Sequence, residues 1–176
     1  MAKSFTLYKL IILYMLNQVD FPLTNSQISE FILDKGYTNY FTVQRAFHEL
    51  EEENMLRVKQ IRNMSHYALS DEGLEAIEMF EYQIPNSIKE DIAQFLKEKE
   101  YELRKEANVK ADFYPSKGDE YTVNLKISEK ESPLLEINLN VVSRDQAVYI
   151  CDHWEKKHSD VYSMLIEKLL FDEPDK

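Results

Sequence analysis

Apolar residues recur at helical spacing through the first third of the chain and at spacing two through much of the second half. Leu10, Ile11, Tyr14 and Met15 predict a helix over Leu7–Val19. Phe21 precedes a proline, so Phe21-Pro22-Leu23 reads as a short extended piece. Thr24 or Asn25 then caps a second helix to about Asp34, with Ile28, Phe31 and Ile32 as its buried stripe and Gly36 at its C-terminal end. Thr38 or Asn39 caps a third helix to about Asn54, whose core arc is Tyr40, Val43, Phe47 and Leu50. Leu56 and Val58 alternate with Arg57 and Lys59 as a strand. Asn63-Met64-Ser65 is its turn, and Tyr67 and Leu69 mark the return strand. Ser70 caps a helix from Asp71 to about Tyr82, with Asp71 and Glu72 at its positive end.

Helix, short strand, helix, helix, hairpin, helix is the order of a winged helix-turn-helix, and residues 1–84 are assigned to such a domain. Pro85 marks the boundary. Beyond it, Ser87 opens a helix bearing Ile88, Ile92, Phe95 and Leu96. From about Asn108 three runs alternate: Val109, Ala111, Phe113; then Tyr121, Val123, Leu125, Ile127; then Leu135, Ile137, Leu139, Val141. They predict an antiparallel meander with one apolar face, turning at Ser116–Asp119 and Ser128–Pro133. Ser143 and Gln146 open a helix to about His158, Ser159 opens a last one bearing Val161, Tyr162, Leu165 and Leu169, and the tail from Asp172 frays. The predicted class is α+β, with residues 85–176 as a dimerisation or effector domain of one helix, three strands and two helices.

The 176 residues suit one large domain or two small ones. One cysteine, Cys151, excludes an intrachain disulfide and fits a reducing cytoplasm. The apolar run Leu10–Leu16 is too short to span a bilayer, and no small-residue cleavage site follows it, so the N-terminus reads as mature. A net charge of −11 argues against indiscriminate binding to nucleic acid or anionic membrane. Both halves are acidic: residues 1–80 hold 7 Lys+Arg against 11 Asp+Glu, and residues 81–176 hold 14 against 21. Two windows depart from this. Residues 35–48 contain Lys35 and Arg45 without an acid, and residues 54–70 contain Arg57, Lys59 and Arg62 without one.

Those windows are the front of the third helix and the hairpin, the elements with which a winged helix meets the major groove and an adjacent backbone. Double-stranded DNA is therefore the expected partner. Arg45 suits a guanine edge or a phosphate, and Gln44 suits adenine. Thr38, Asn39 and Thr42 suit phosphates or thymine methyls. Phe41 and His48 complete the exposed face of the helix, and Lys59, Arg62, Asn63 and His66 are the expected contacts of the wing. Glu49 and Glu51–Glu53 fall in the half that leaves the groove. The rival reading is a module that docks a protein on Phe41 without DNA. A third is a small-molecule sensor, and the α+β half is the place for an effector. The regulator reading also takes the protein as a homodimer addressing paired half-sites.

Metal and catalytic chemistry find little footing. Cys151 and His153 are two apart, which turns them about 200° from each other on a helix. His158 is five from His153, whereas Cys151 and Trp154, three apart, belong together in a core. There is no Gly-rich phosphate loop, nucleophile elbow or HExxH, so the reading is of a non-enzyme without cofactor or metal.

The segment KLIILYMLNQVDFPLTNSQISEFILDKGYTNYFTVQRAFHEL resembles the N-terminal signature of a bacterial winged-helix family of unknown function, found mainly in Gram-positive, clostridial-type anaerobes. HYALSDEGLEAIEMFEYQIPNSIKEDI and ICDHWEKKHSDVYSMLIEKL resemble its later segments. The resemblance spans nearly the whole chain. It implies a winged helix, then an α+β region, in a transcription regulator, and it carries no motif residue of assigned role. YALSDEG also resembles the strand-to-helix step of the multiple-antibiotic-resistance-type and phenolic-acid-type repressors, an analogy of fold alone.

Overall fold

The computed structural model describes residues 2–130 and 132–171, so the tail expected to fray lies outside the described residues. The class is α+β, with six α-helices and two small antiparallel sheets among the described residues. The chain divides into two compact units after Ala107. The sequence reading placed the division at Pro85. The structure moves it because helix α5 (Asn86–Asn108) sinks Ile92 and Leu103 into the first unit's core, with Ile88, Phe95 and Leu96 packed beside them.

The first unit is built around α1 (Ala2–Asn17). Six of the seven residues Leu10–Leu16 are buried, so α1 is enclosed on most of its circumference instead of lying on the surface by one stripe. Strand β1 (Leu23–Thr24) leads into α2 (Asn25–Asp34), and α3 (Tyr40–Glu52) follows. Thr24 caps α2 in a full capping box with Gln27. Gly36, at φ +68°, ends it: its N–H reaches Leu33 O at 2.9 Å and that of Tyr37 reaches Ile32 O at 3.1 Å, a Schellman motif. Asn54, at φ 57°, ends α3 in the same way, with Met55 N on Leu50 O at 2.9 Å.

Strands β2 (Leu56–Ile61) and β3 (Met64–Leu69) form the hairpin, and β1 pairs with the other side of β3, giving the order β1-β3-β2. The hairpin turns one residue earlier than its sequence suggests. Ile61 pairs with Met64, so the loop is Arg62-Asn63, with both residues at positive φ (47° and 65°). That is the signature of a type I′ turn, which Asn-Gly fits and arginine does not. Arg62→Asn combined with Asn63→Gly should therefore raise stability by about 1 kcal/mol, read as a shifted denaturation midpoint.

Helix α4 (Asp71–Phe80), capped by Ser70, and a 3₁₀ turn (Glu81–Gln83) lead to α5. The Tyr37 hydroxyl donates to Asp91 on α5, and Lys35 lies 3.3 Å from the same carboxylate. Together they hold the Asp91 carboxyl below its ordinary range.

The second unit is the expected meander, β4 (Val109–Pro115), β5 (Tyr121–Glu129) and β6 (Ser132–Val141), in that order in the sheet. One helix follows where two were expected. Helix α6 runs unbroken from Arg144 to Leu170, because its inward spacing through Ala147, Cys151, Trp154 and Val161 passes straight over the exposed Ser159. Its end departs from the expected stripe, with Leu169 77 % exposed. Val123 and Leu125 of β5 close the small core against Cys151 and Trp154, whose Nε1 donates to Lys126 O at 3.2 Å.

Candidate nucleic-acid interface

The front of α3 is positioned from both ends. Asn39 is its N-cap, accepting from Thr42 N at 3.0 Å and from the Thr42 hydroxyl at 3.1 Å. Thr38, the alternative cap, sits half-buried one residue before it. Val43, Phe47 and Leu50 fix the inner face, with the Phe47 ring stacked on Tyr67 at 4.7 Å between centroids. The Tyr67 hydroxyl donates to Glu51 at 2.8 Å, so α3 and the hairpin are clamped together at the C-terminal half of the helix.

What α3 turns outward is a stripe of Phe41, Arg45 and His48. Phe41 is 83 % exposed, and Tyr40 stands beside it with edge-to-face rings 6.0 Å apart. Tyr40 was expected in the core arc but is 54 % exposed. It is the first residue of the helix, so no preceding turn stacks beside it, a fact that wheel position does not contain.

Arg45 is exposed but engaged. Its Nε lies 3.2 Å from Glu49 and its guanidinium 4.4 Å from the Phe5 ring centroid. Lys9 of α1 reaches the same Glu49 at 3.2 Å and Glu53 at 2.8 Å. Burial works against ionisation of Glu49, but the hydrogen bonds from Lys9 and Arg45 prevail and hold it below the ordinary carboxylate range. His48 faces Glu52 at 3.4 Å. Phe5 and Lys9 are members of this cluster that the sequence reading missed. They are some forty residues from α3, and no local signal joins them to it.

Two expected contacts do not face outward. Gln44 spends its amide on α2: it donates to Asn25 at 2.9 Å and Ser29 at 3.1 Å and accepts from Asn25 at 2.9 Å. It therefore locks the two helices instead of reading a base. His66 is only 7 % exposed, because it lies on the central strand with Thr24 of β1 on one side and Lys59 of β2 on the other. The remaining hairpin candidates are placed outside. Lys59 is exposed on the edge strand, Asn63 is exposed at the tip, and Arg62 is half-buried beside it. Arg57, between tip and helix, lies 3.3 Å from Asp71.

Among the described residues no group of three or more His, Cys, Asp or Glu is gathered as a metal site requires, and no helix is long and apolar enough to cross a membrane. Cys151 is buried beside Trp154, while His153 and His158 point their Nδ1 atoms at helix carbonyls 2.8 Å away.

No curated protein and no solved structure matches the chain. A family model described as a domain of unknown function (DUF4364) matches residues 8–169, and the chain belongs to that family.

Proposed function

We propose that the protein is a cytoplasmic DNA-binding transcription regulator whose first unit is a winged helix, with α3 as its recognition helix and the β2–β3 hairpin as its wing, and that it acts as a homodimer. The observation that carries the reading is the pairing of two exposed, acid-free features on one rigid core. One is the outward stripe Phe41, Thr42, Arg45 on the Asn39-capped front of α3. The other is the tight hairpin presenting Lys59, Arg62 and Asn63. The α2–α3 pair and the β1-β3-β2 sheet supply the frame such a domain uses. Arg45 would reach a guanine edge or phosphate, Phe41 a thymine methyl, and Lys59 and Arg62 the backbone.

The test is binding titrated against salt. Arg45→Ala should weaken specific binding by about 1–3 kcal/mol, more than it weakens non-specific binding, whereas Lys59→Ala should weaken both and flatten the salt slope by roughly one unit. Glu49→Gln should tighten binding, since it releases Arg45 and Lys9 from a shared anion. Three variants indistinguishable from wild type across salt would remove this assignment.

A second reading is a module that docks a protein on the same helix. It is favoured by the exposed Phe41–Tyr40 pair and by Arg45 already holding Glu49. Binding through that surface would change little with salt and would collapse in Phe41→Ala.

A further inference from the structure

We propose that the free edge of β6 is where two copies of this chain join, antiparallel, about a two-fold axis normal to the sheet. The inference locates the dimer that the regulator reading requires and rests on that part of it. Its test is read without DNA, so the two can fail separately.

β6 is ten residues long and stands at the edge of its sheet, and among the described residues no strand pairs with its outer side. An exposed edge is normally guarded by charge, proline or a bulge. β6 has such devices only at its start, in Pro133 and the register shift at Ile127/Ser128. From Leu134 to Val141 its single charge is Glu136, which accepts from Asn124 at 2.9 Å and sits 3.5 Å from Lys126. The other free edges are guarded. β1 is only two residues long, β2 carries Arg57 and Lys59, and the shorter β4 carries Lys110 and Asp112 and ends at Pro115.

The helix cover is also incomplete on this side. α6 lies chiefly over β4 and β5. The inward row of β6, set by its pairing with Val123 and Leu125, therefore leaves Leu139 41 % exposed. Tyr149 of α6, 64 % exposed, lines a shallow hollow with Val141 at the end of β6, Ile150, Asp145 and Gln146.

The symmetry of the strand identifies the occupant as a second copy. An axis normal to the sheet puts both α6 helices on one side and brings the exposed Leu139 of each copy to the seam on that side. Directly opposed residues must then share a face, which allows only registers centred on a residue. Centred on Ile137 or Asn138, Glu136 faces Asn138 or Asn140, whose amide can donate to the carboxylate, and Leu139 faces Leu135 or Ile137. Centring on Glu136 itself, which opposes the two carboxylates, is the register that charge disfavours.

Sedimentation velocity of the full chain over a concentration range should show a dimer. Leu139→Lys and Asn138→Glu, on opposite faces of the strand and both exposed in the single chain, should each raise its dissociation constant about tenfold or more with unchanged circular dichroism, the new carboxylate meeting Glu136 or its own copy across the seam. In the wild type, amide exchange in β6 should speed up on dilution. A wild-type monomer at every concentration would overturn the proposal. So would a dimer that both variants leave intact while β6 exchange ignores concentration. Should either variant misfold, the wild-type exchange data decide alone.

Discussion

Gly73→Ala should destabilise the first unit by about 3 kcal/mol or more, although alanine is the better helix former at an ordinary position. A Cβ there would lie 2.1 Å from the Met55 carbonyl oxygen and 3.3 Å from Leu69 Cδ2. Neither α4 nor the Met55 carbonyl is free to retreat. Met55 O accepts from Ser70 N at 3.2 Å, Met55 N closes the end of α3 on Leu50, and the Ser70 hydroxyl caps Gly73 N at 3.0 Å and donates to Asn54 O at 2.6 Å. The junction thus fixes the end of α3, the start of the hairpin and the cap of α4 at one point. Gly36→Ala is the control. It has positive φ but nothing within 4 Å of the added methyl, so its cost is backbone strain alone, on the order of 1 kcal/mol. Denaturant melts of the two variants should separate clearly. Equal costs would mean that the Met55 carbonyl does not crowd α4.

Trp154→Ala should unfold the second unit while leaving the first folded. Trp154 is 4 % exposed, and removing so large a buried side chain costs about 3–5 kcal/mol. Its indole also satisfies the Lys126 carbonyl, which would lose that partner. A unit of this size, whose buried core among the described residues is Val123, Leu125, Ala147, Cys151 and Trp154, is expected to hold no more than about 3–5 kcal/mol in all. The substitution therefore removes about what there is. In amide-resolved exchange, protection should vanish from β4 to α6 and persist in α1–α4. Retained protection in β5 would show that this core has stability beyond its own residues.

Where residues act on their near neighbours, the fold was legible in the sequence. The caps Thr24, Asn39, Ser70 and Ser143, the glycine after α2, the short strand beside the hairpin and the three alternating runs stand where pattern and cap chemistry put them. Two misreadings came from letting a single residue outvote a period. Ser159 looks like a cap, but the inward spacing of α6 continues through it, and Pro85 looks like a boundary, but α5 keeps its apolar face toward the first core. The hairpin turn slipped because Arg62 in a left-handed conformation has no sequence signature. The candidate interface was legible only as a set of positions. Gln44 and His66 have the chemistry of base and phosphate contacts, yet Asn25 and Ser29 occupy the one, and the strands β1 and β2 enclose the other. Lys9, which shares Glu49 with Arg45, is brought there only by the packing of α1 on α3.

Contact between DNA and the front of α3 with the hairpin tip is tested by capture of sheared genomic DNA, from the organism that encodes the protein, by the purified full chain at near-physiological salt, followed by sequencing. The expected result is enrichment of a palindromic motif with half-sites about one helical turn, roughly ten base pairs, apart. Recovery of no motif at that salt or at low salt would contradict it.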